Sequence, residues 1–295
     1  MTVNKTVELT QRNDDSVAVP ALKALFLCSK NPNGRDGLLR ADTLANMIEL
    51  LRSSDSSVKV KHHALALLIS MSKTIKAASA FVKTKQFMSF ILERAKNLET
   101  PSLQADALRV IANCCHVPDS LDTEMTGGVS AALGAGNAGT VRLCVELLKH
   151  EESVVKEHAA IVLQACSVIE KGRDEVVEAG AVRVLNELLT DRSVSIRRAS
   201  SGALMSLTIN ETGKKEFFRF LGCENLVDLL RREKDFDVRQ NVVKIVSAMC
   251  CFPDARFRLK KLETTELLDK MIAGTKDQLT ILICRTAIDN VNWEP

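Results

Sequence analysis

Apolar residues recur along the chain with two periods at once. Over short stretches they fall at i, i+3, i+4 and i+7, as in Val155, Ala159, Leu163 and Cys166, or Val238, Val242, Ile245, Val246 and Met249. That spacing lines one face of an amphipathic helix. Over longer stretches a pair of large apolar residues closes each of a series of similar segments: Leu50-Leu51, Ile91-Leu92, Leu147-Leu148, Leu188-Leu189, Leu229-Leu230 and Met271-Ile272. The second members of these pairs lie 41, 56, 41, 41 and 42 residues apart. One interval exceeds the period by 15 residues, which predicts an insertion in that unit, between Val117 and Thr140.

A period near 41 belongs to stacked helical repeats, whose units cannot bury their apolar faces alone. Within a unit the pattern predicts a long helix, a turn, a short helix, a bend and a second helix ending in the apolar pair. The bend falls at Ala179-Gly180-Ala181 in one unit and at Leu221-Gly222-Cys223 in the next, where a small residue is expected. The long helices are predicted to begin near Ser16, Ser57, Ser102, Ser153, Val194, Asp237 and Gln278. Gly-Ala before the middle helix and Leu-Leu near its end, as in Ala179-Gly180-Ala181…Leu188-Leu189, resemble the armadillo unit over nearly the whole chain. The resemblance implies an all-α, armadillo/HEAT-type right-handed superhelical solenoid of about six repeats plus a terminal half. It also implies a single domain over 1–295 with a loop insertion at about 118–139.

Composition agrees. Aromatics are 4%, Tyr is absent, and only 13 Gly and 6 Pro occur in 295 residues. Sandwiches, barrels and propellers need more of each. The longest apolar run, Ala64 to Ile69, is too short to span a bilayer, and the polar first residues lack a secretory pattern. Nine cysteines without regular spacing read as reduced thiols, so a cytoplasmic location is expected.

Little suggests catalysis. Gly134 to Gly139 reads G-x-G-x-x-G, but without a β-α-β unit around it the motif reads as a small-residue loop. Cys114-Cys115-His116 and Cys250-Cys251 lack the separated pairs of zinc sites and are expected to fill the core. His158 reads as a helix-edge residue. Neither a metal nor a cofactor is expected, nor a small-molecule substrate, and the chain is read as a non-catalytic protein-interaction scaffold.

In nuclear-import receptors of the armadillo class, Trp and Asn recur on the third helices and clamp a basic peptide. Here the Trp-equivalent positions hold Lys23, Ala66, Arg109, Ile161, Gly202, Lys244 and Thr286, and Asn recurs only at Asn113 and Asn290. That function is disfavoured. Partner-binding candidates are Lys23, Arg109, Asn113 and Lys244 in the groove, with Arg197 and Arg239 at its rim. Trp293 is expected to seal the last layer.

Thr190 to Lys261 carries 15 Lys/Arg against 9 Asp/Glu, a net of +6, while the remainder has 25 against 28. Arg197, Arg198, Lys214, Lys215, Arg219, Arg231, Arg232, Arg239 and Lys244 form either a basic stripe for an acidic protein surface or a solvated outer face. Nucleic acid is disfavoured because no aromatics interleave with these cations.

Two stretches have a narrower likeness. Ser195 to Lys215, with Gly202-Ala203-Leu204-Met205 and Glu211-Thr212-Gly213-Lys214, is similar to the armadillo subunit of the ciliary radial spoke. So is the ending Ala287-Ile288…Val291-Asn292-Trp293-Glu294-Pro295. That likeness implies a structural subunit of motile cilia whose partners are other proteins of a large assembly. A cytoplasmic adaptor that binds an extended peptide is the alternative.

Overall fold

The computed structural model describes residues 3–84, 86–118, 132 and 139–294, and among these residues it is helical with no strand. Most of the expected insertion, 119–131 and 133–138, lies outside the described residues, and with it all but the last glycine of the G-x-G-x-x-G run. Among the described residues nineteen helices follow in order. They are α1 (Val3–Thr10), α2 (Asp15–Cys28), α3 (Pro32–Arg40), α4 (Thr43–Arg52), α5 (Val58–Ser72), α6 (Ile75–Lys83), α7 (Phe87–Asn97) and α8 (Pro101–Cys115). Then come α9 (Gly139–Leu147), α10 (Ser153–Cys166), α11 (Glu170–Glu178), α12 (Ala181–Leu188), α13 (Val194–Leu207), α14 (Glu211–Arg219), α15 (Gly222–Arg232), α16 (Phe236–Met249), α17 (Pro253–Lys261), α18 (Thr264–Ala273) and α19 (Gln278–Asn292). The chain divides into two compact units, Met1–Leu143 and Cys144–Pro295.

Where the described residues cover a whole repeat, it is a short helix, a middle helix and a long third helix. The third helices are α2, α5, α8, α10, α13, α16 and α19, and each starts within one residue of its expected position. In the first unit α2 packs on α5 and α5 on α8. In the second unit α10, α13, α16 and α19 pack in the same succession. Short polar side chains start several of them. Ser57 accepts from the Val60 N–H, Thr100 from Leu103, Asp235 from Val238 and Asp277 from Thr280. Each satisfies an N–H that the helix itself leaves unpaired, worth about 1 kcal/mol.

The bend between short and middle helix is made by one residue in the left-handed region. These are Asp42 (φ 53°), Gln86 (63°), Gly180 (77°), Leu221 (60°) and Glu263 (56°), and Gly139 (68°), the first residue of α9, takes the same region. The expectation of a small residue at the bend holds at Gly180 and not in the next repeat. There Leu221 takes the bend, with its side chain exposed to solvent. Gly222 is instead the first residue of α15, where a Cβ would stand 2.4 Å from the Phe217 ring. Phe217 is fully buried, so Gly222 answers a close approach rather than a backbone twist.

The core is built from the aliphatic stripes and from Phe81, Phe87 and Phe217. The Phe81 and Phe87 rings lie 5.2 Å apart. Cys114, Cys144, Cys166, Cys223, Cys250 and Cys284 are buried with these residues, as small core side chains. Burial pushes the Cys114 thiol up to about 12, which leaves it inert. Trp293 departs from expectation. It is 56% exposed, with the Arg256 guanidinium 4.6 Å from its ring, so it covers little of the last layer.

Candidate functional site

The six candidate residues divide between the two units. Lys23, Arg109 and Asn113 stand on α2 and α8 of the first, and Arg197, Arg239 and Lys244 on α13 and α16 of the second.

In the first unit two adjoining depressions cross the third helices. One, of about 500 Å³, is lined by Val19 and Lys23 of α2, Lys59, His62 and His63 of α5, and Ser102 and Leu103 of α8. The other, of about 320 Å³, is lined by Phe26, Lys30, Ala66, Ser70, Lys73, Asp106 and Arg109. His62 belongs to both. Lys23 and Arg109 therefore face the same strip of surface, as the repeat register required. Asp106 is the one carboxylate in either lining, and its side chain is only 12% exposed. His62 Nδ1 lies 3.3 Å from one of its oxygens and Arg109 Nη1 lies 3.4 Å from the other. Lys30 stands 4.2 Å over the Phe26 ring. Burial, reinforced by the charges of His62 and Lys23, lowers the His63 pKa and keeps that ring neutral near pH 7.

Asn113 is not free for a ligand. Its amide donates to Ser72 Oγ at 3.0 Å and to the Ile69 carbonyl at 3.4 Å, tying α8 to α5. Asn290 does the same in the last repeat, donating to Ser247 Oγ at 2.7 Å. The two asparagines that the register places in the groove thus hold successive third helices together.

Arg197 is also structural. It forms a bidentate pair with Glu233, at 2.6 and 3.1 Å, and donates to the Asp191 and Arg192 carbonyls. The Glu233 side chain is 4% exposed and that of Arg197 is 16% exposed. The Arg197 hydrogen bonds hold the Glu233 carboxyl below the usual range. Arg197 is the fourth residue of its helix, and the fourth residues of two other third helices do the same work. Lys61 pairs with Glu99, and Lys156 with Asp191 at 3.0 Å. In each case a cation near the start of a third helix reaches the loop that follows the next middle helix.

Arg239 is the fourth residue of α16 and continues this series. The matching loop runs Gly274 to Asp277, and its one acid, Asp277, is taken up in starting α19 by accepting from the Thr280 N–H. The Arg239 Nε is buried with no hydrogen-bond partner. Register aligns Thr275 with Glu233. Thr275→Glu should supply the missing carboxylate and raise unfolding stability by about 1 kcal/mol, the net worth of a typical intramolecular hydrogen bond. Chemical denaturation measures it, and an unchanged midpoint would show that Arg239 is out of reach. Lys244 is half-buried on α16.

The basic stripe expected over 190–261 is largely spent within the chain. Arg197, Arg198, Lys215, Arg219 and Arg232, five of its nine residues, form ion pairs with Glu233, Asp235, Glu211, Glu216 and Asp228. Lys214 donates to the Ile209 carbonyl at 3.0 Å. Among the described residues Arg231, Arg239 and Lys244 of the stripe have no carboxylate partner, and neither do Lys23, Lys59 and Lys73 along the first unit's third helices. A net-charge window over whole repeats hides them. The exposed positions of α2, α5 and the turns that follow them hold Lys23 and Lys30 one heptad apart, and Lys59 and Lys73 two heptads apart.

Among the described residues no group of three or more His, Cys, Asp or Glu could hold a metal ion. His158 Nδ1 lies 2.8 Å from the Val154 carbonyl of its own helix. No single described helix is long and apolar enough to cross a membrane.

No family model and no curated protein matches the chain. Solved structures do. An engineered protein superposes with a TM-score of 0.84 at 23% identity, over 99% of this chain and 69% of its own. The fold is that of armadillo repeats. Computationally designed armadillo repeat proteins for modular peptide recognition match with a TM-score of 0.70 at 18% identity, over 83% of this chain and 99% of theirs. A further designed armadillo repeat protein matches at 0.54 and 16% identity, over 98% of this chain and 100% of its own.

Proposed function

We propose that this chain is a non-catalytic protein-interaction scaffold, one repeat domain over 1–295, that holds an extended segment of a partner protein across α2, α5 and α8. The observation that carries this is the pair of depressions joined at His62. They run across three successive third helices and are floored by Ala66 and Ser70. Solved armadillo proteins designed for peptide recognition support the reading. Of the six sequence candidates, Lys23 and Arg109 are retained for contact with the partner. Lys244 and Arg239 are kept as candidates on the second unit, and Asn113 and Arg197 are assigned to holding the repeats together.

A steric block tests the face itself. Ala66 is a half-buried floor residue between the depressions, and Ala66→Trp should fill the strip without changing its charge. Proteins cross-linked to the tagged chain in its own cells should be lost with Ala66→Trp while helical content stays the same. An unchanged set of cross-linked proteins would remove this face from the function.

Where the scaffold works is proposed from sequence likeness alone. Ser195–Lys215 and the ending point to the radial spoke of motile cilia, within a large assembly. Part of that likeness has a general cause. Gly213 lies where a Cβ would stand 2.0 Å from the Leu207 carbonyl, and Gly34 and Gly172 answer the same demand in other repeats. Location in a ciliated cell tests the proposal: axonemal signal supports it, and a diffuse cytoplasmic signal favours the adaptor.

A further inference from the structure

We infer that the segment held across α2, α5 and α8 is acidic, an extended stretch of a partner protein with Asp or Glu at closely spaced positions. This rests on the proposed use of that face and names the chemistry of its occupant. The two linings hold Lys23 of α2 and Lys30 just after it, Lys59 of α5 and Lys73 just after it, and Arg109 from α8, against Asp106 alone. Asp106 is recessed and already shared by His62 and Arg109. It therefore offsets little of the charge on the lysines, which belong to the other two helices and the turns after them.

The cations are layered. Neighbouring helices pack about 8–10 Å apart, and an extended chain advances about 3.3 Å per residue. One layer therefore corresponds to about three residues of an occupant crossing the helices. Acids at every second or third position would meet the cations of each helix in turn, two at the first, two at the next and Arg109 at α8. The screening length at physiological salt is about 8 Å, so each layer acts on the part of the segment directly over it.

The same strip suits nucleic acid poorly. Phe26 is the one phenyl, indole or phenol ring in the two linings, and Lys30 already covers it. Base stacking on exposed rings, which carries single-strand binding, has no platform here. A basic peptide would meet like charge in every layer.

Fluorescence anisotropy with a labelled peptide of alternating Glu and Ala tests the inference. An alternating Lys and Ala peptide, oligothymidine and phosphatidylserine vesicles serve as competitors. The Glu peptide should bind, and the Lys peptide should not compete. Lys23→Glu combined with Arg109→Glu should weaken binding at least about tenfold, the effect of 1.4 kcal/mol. Raising salt from about 0.1 M to about 1 M, which shortens the screening length from about 10 Å to about 3 Å, should weaken it similarly. Arg231→Glu, on an exposed site of α15, should change nothing. Circular dichroism checks that each variant is folded, and Lys23→Gln with Lys59→Gln gives a milder pair whose loss should be smaller and in the same direction. Equal binding of the two peptides, absence of Glu-peptide binding, stronger binding to oligothymidine or vesicles, or indifference to charge reversal would each overturn the inference. If partners are still lost with Ala66→Trp, the use of this face stands and only its charge selection fails.

Discussion

Arg197→Met should lower the stability of the Cys144–Pro295 unit by about 3–5 kcal/mol, the cost of leaving one partner of a buried ion pair without the other. Glu233 is the partner left behind. It is 4% exposed, and besides Arg197 it accepts the backbone N–H groups of Lys234 and Asp235. Those bonds keep the carboxylate in place and uncompensated in the variant. The damage should spread, because Asp235 starts α16 by accepting from the Val238 N–H. The double variant Arg197→Met, Glu233→Leu should recover most of the loss, since an apolar pair of similar volume often replaces a buried salt bridge without penalty. Urea denaturation separates the cases. A double variant as unstable as the single one would show that packing of the guanidinium, rather than its charge, is what matters.

Acid should have the same effect on the wild type as the substitution. The Glu233 pKa in the folded chain lies below the ordinary value of 4.5, chiefly through its hydrogen bonds from Arg197. A depressed carboxyl contributes stability that is complete above the unfolded value and is lost as pH falls through the folded one. The gap between wild type and Arg197→Met should therefore be full at neutral pH and close as pH drops below 4.5.

The ion pair also shows what could be read before the fold was known. The repeat period and the helical spacing of apolar residues located all seven third helices, because burial of one stripe per helix leaves a direct trace in sequence. Charges leave a different trace. Arg197 and Glu233 are 36 residues apart, and only the stacking of one repeat on the next brings them together. Read along the chain, Arg197 looks like one more exposed cation beside Arg198. The same limit hid Lys59 and Lys73 beside Lys23, which register alone had placed in the groove. Asn113 shows a second limit. Its register matches a ligand-clamping position, but Ser72 and the Ile69 carbonyl lie within its reach, and register alone cannot say which partner an amide has chosen. Bends were legible only where Gly marks them. Asp42, Gln86, Leu221 and Glu263 adopt the same left-handed conformation with side chains that carry no such signal.

Gly172→Ala should cost about 3 kcal/mol, at the upper end of what one added methyl costs in a packed site. The methyl would stand 1.9 Å from the Cys166 carbonyl oxygen, at the place where α11 crosses the end of α10. A backbone carbonyl cannot swing aside as a side chain can, so α11 must move bodily. That movement draws Arg173 away from the Ser167 and Val168 carbonyls, now 3.2 and 3.0 Å from its guanidinium, and from Asn210 at 3.0 Å. Ala77 and Ala255 occupy the third position of their own short helices, as Gly172 does, and are buried there. The crossing therefore admits a methyl when the short helix is set back, and Gly172→Ala should remain folded while losing stability. Gly180→Ala provides the contrast. Nothing lies within 4 Å of the added carbon at Gly180. Its cost comes only from the left-handed backbone, about 1–2 kcal/mol. Denaturation midpoints of the two variants measure the difference, and a Gly172→Ala protein as stable as the wild type would mean that α11 already has the freedom to shift.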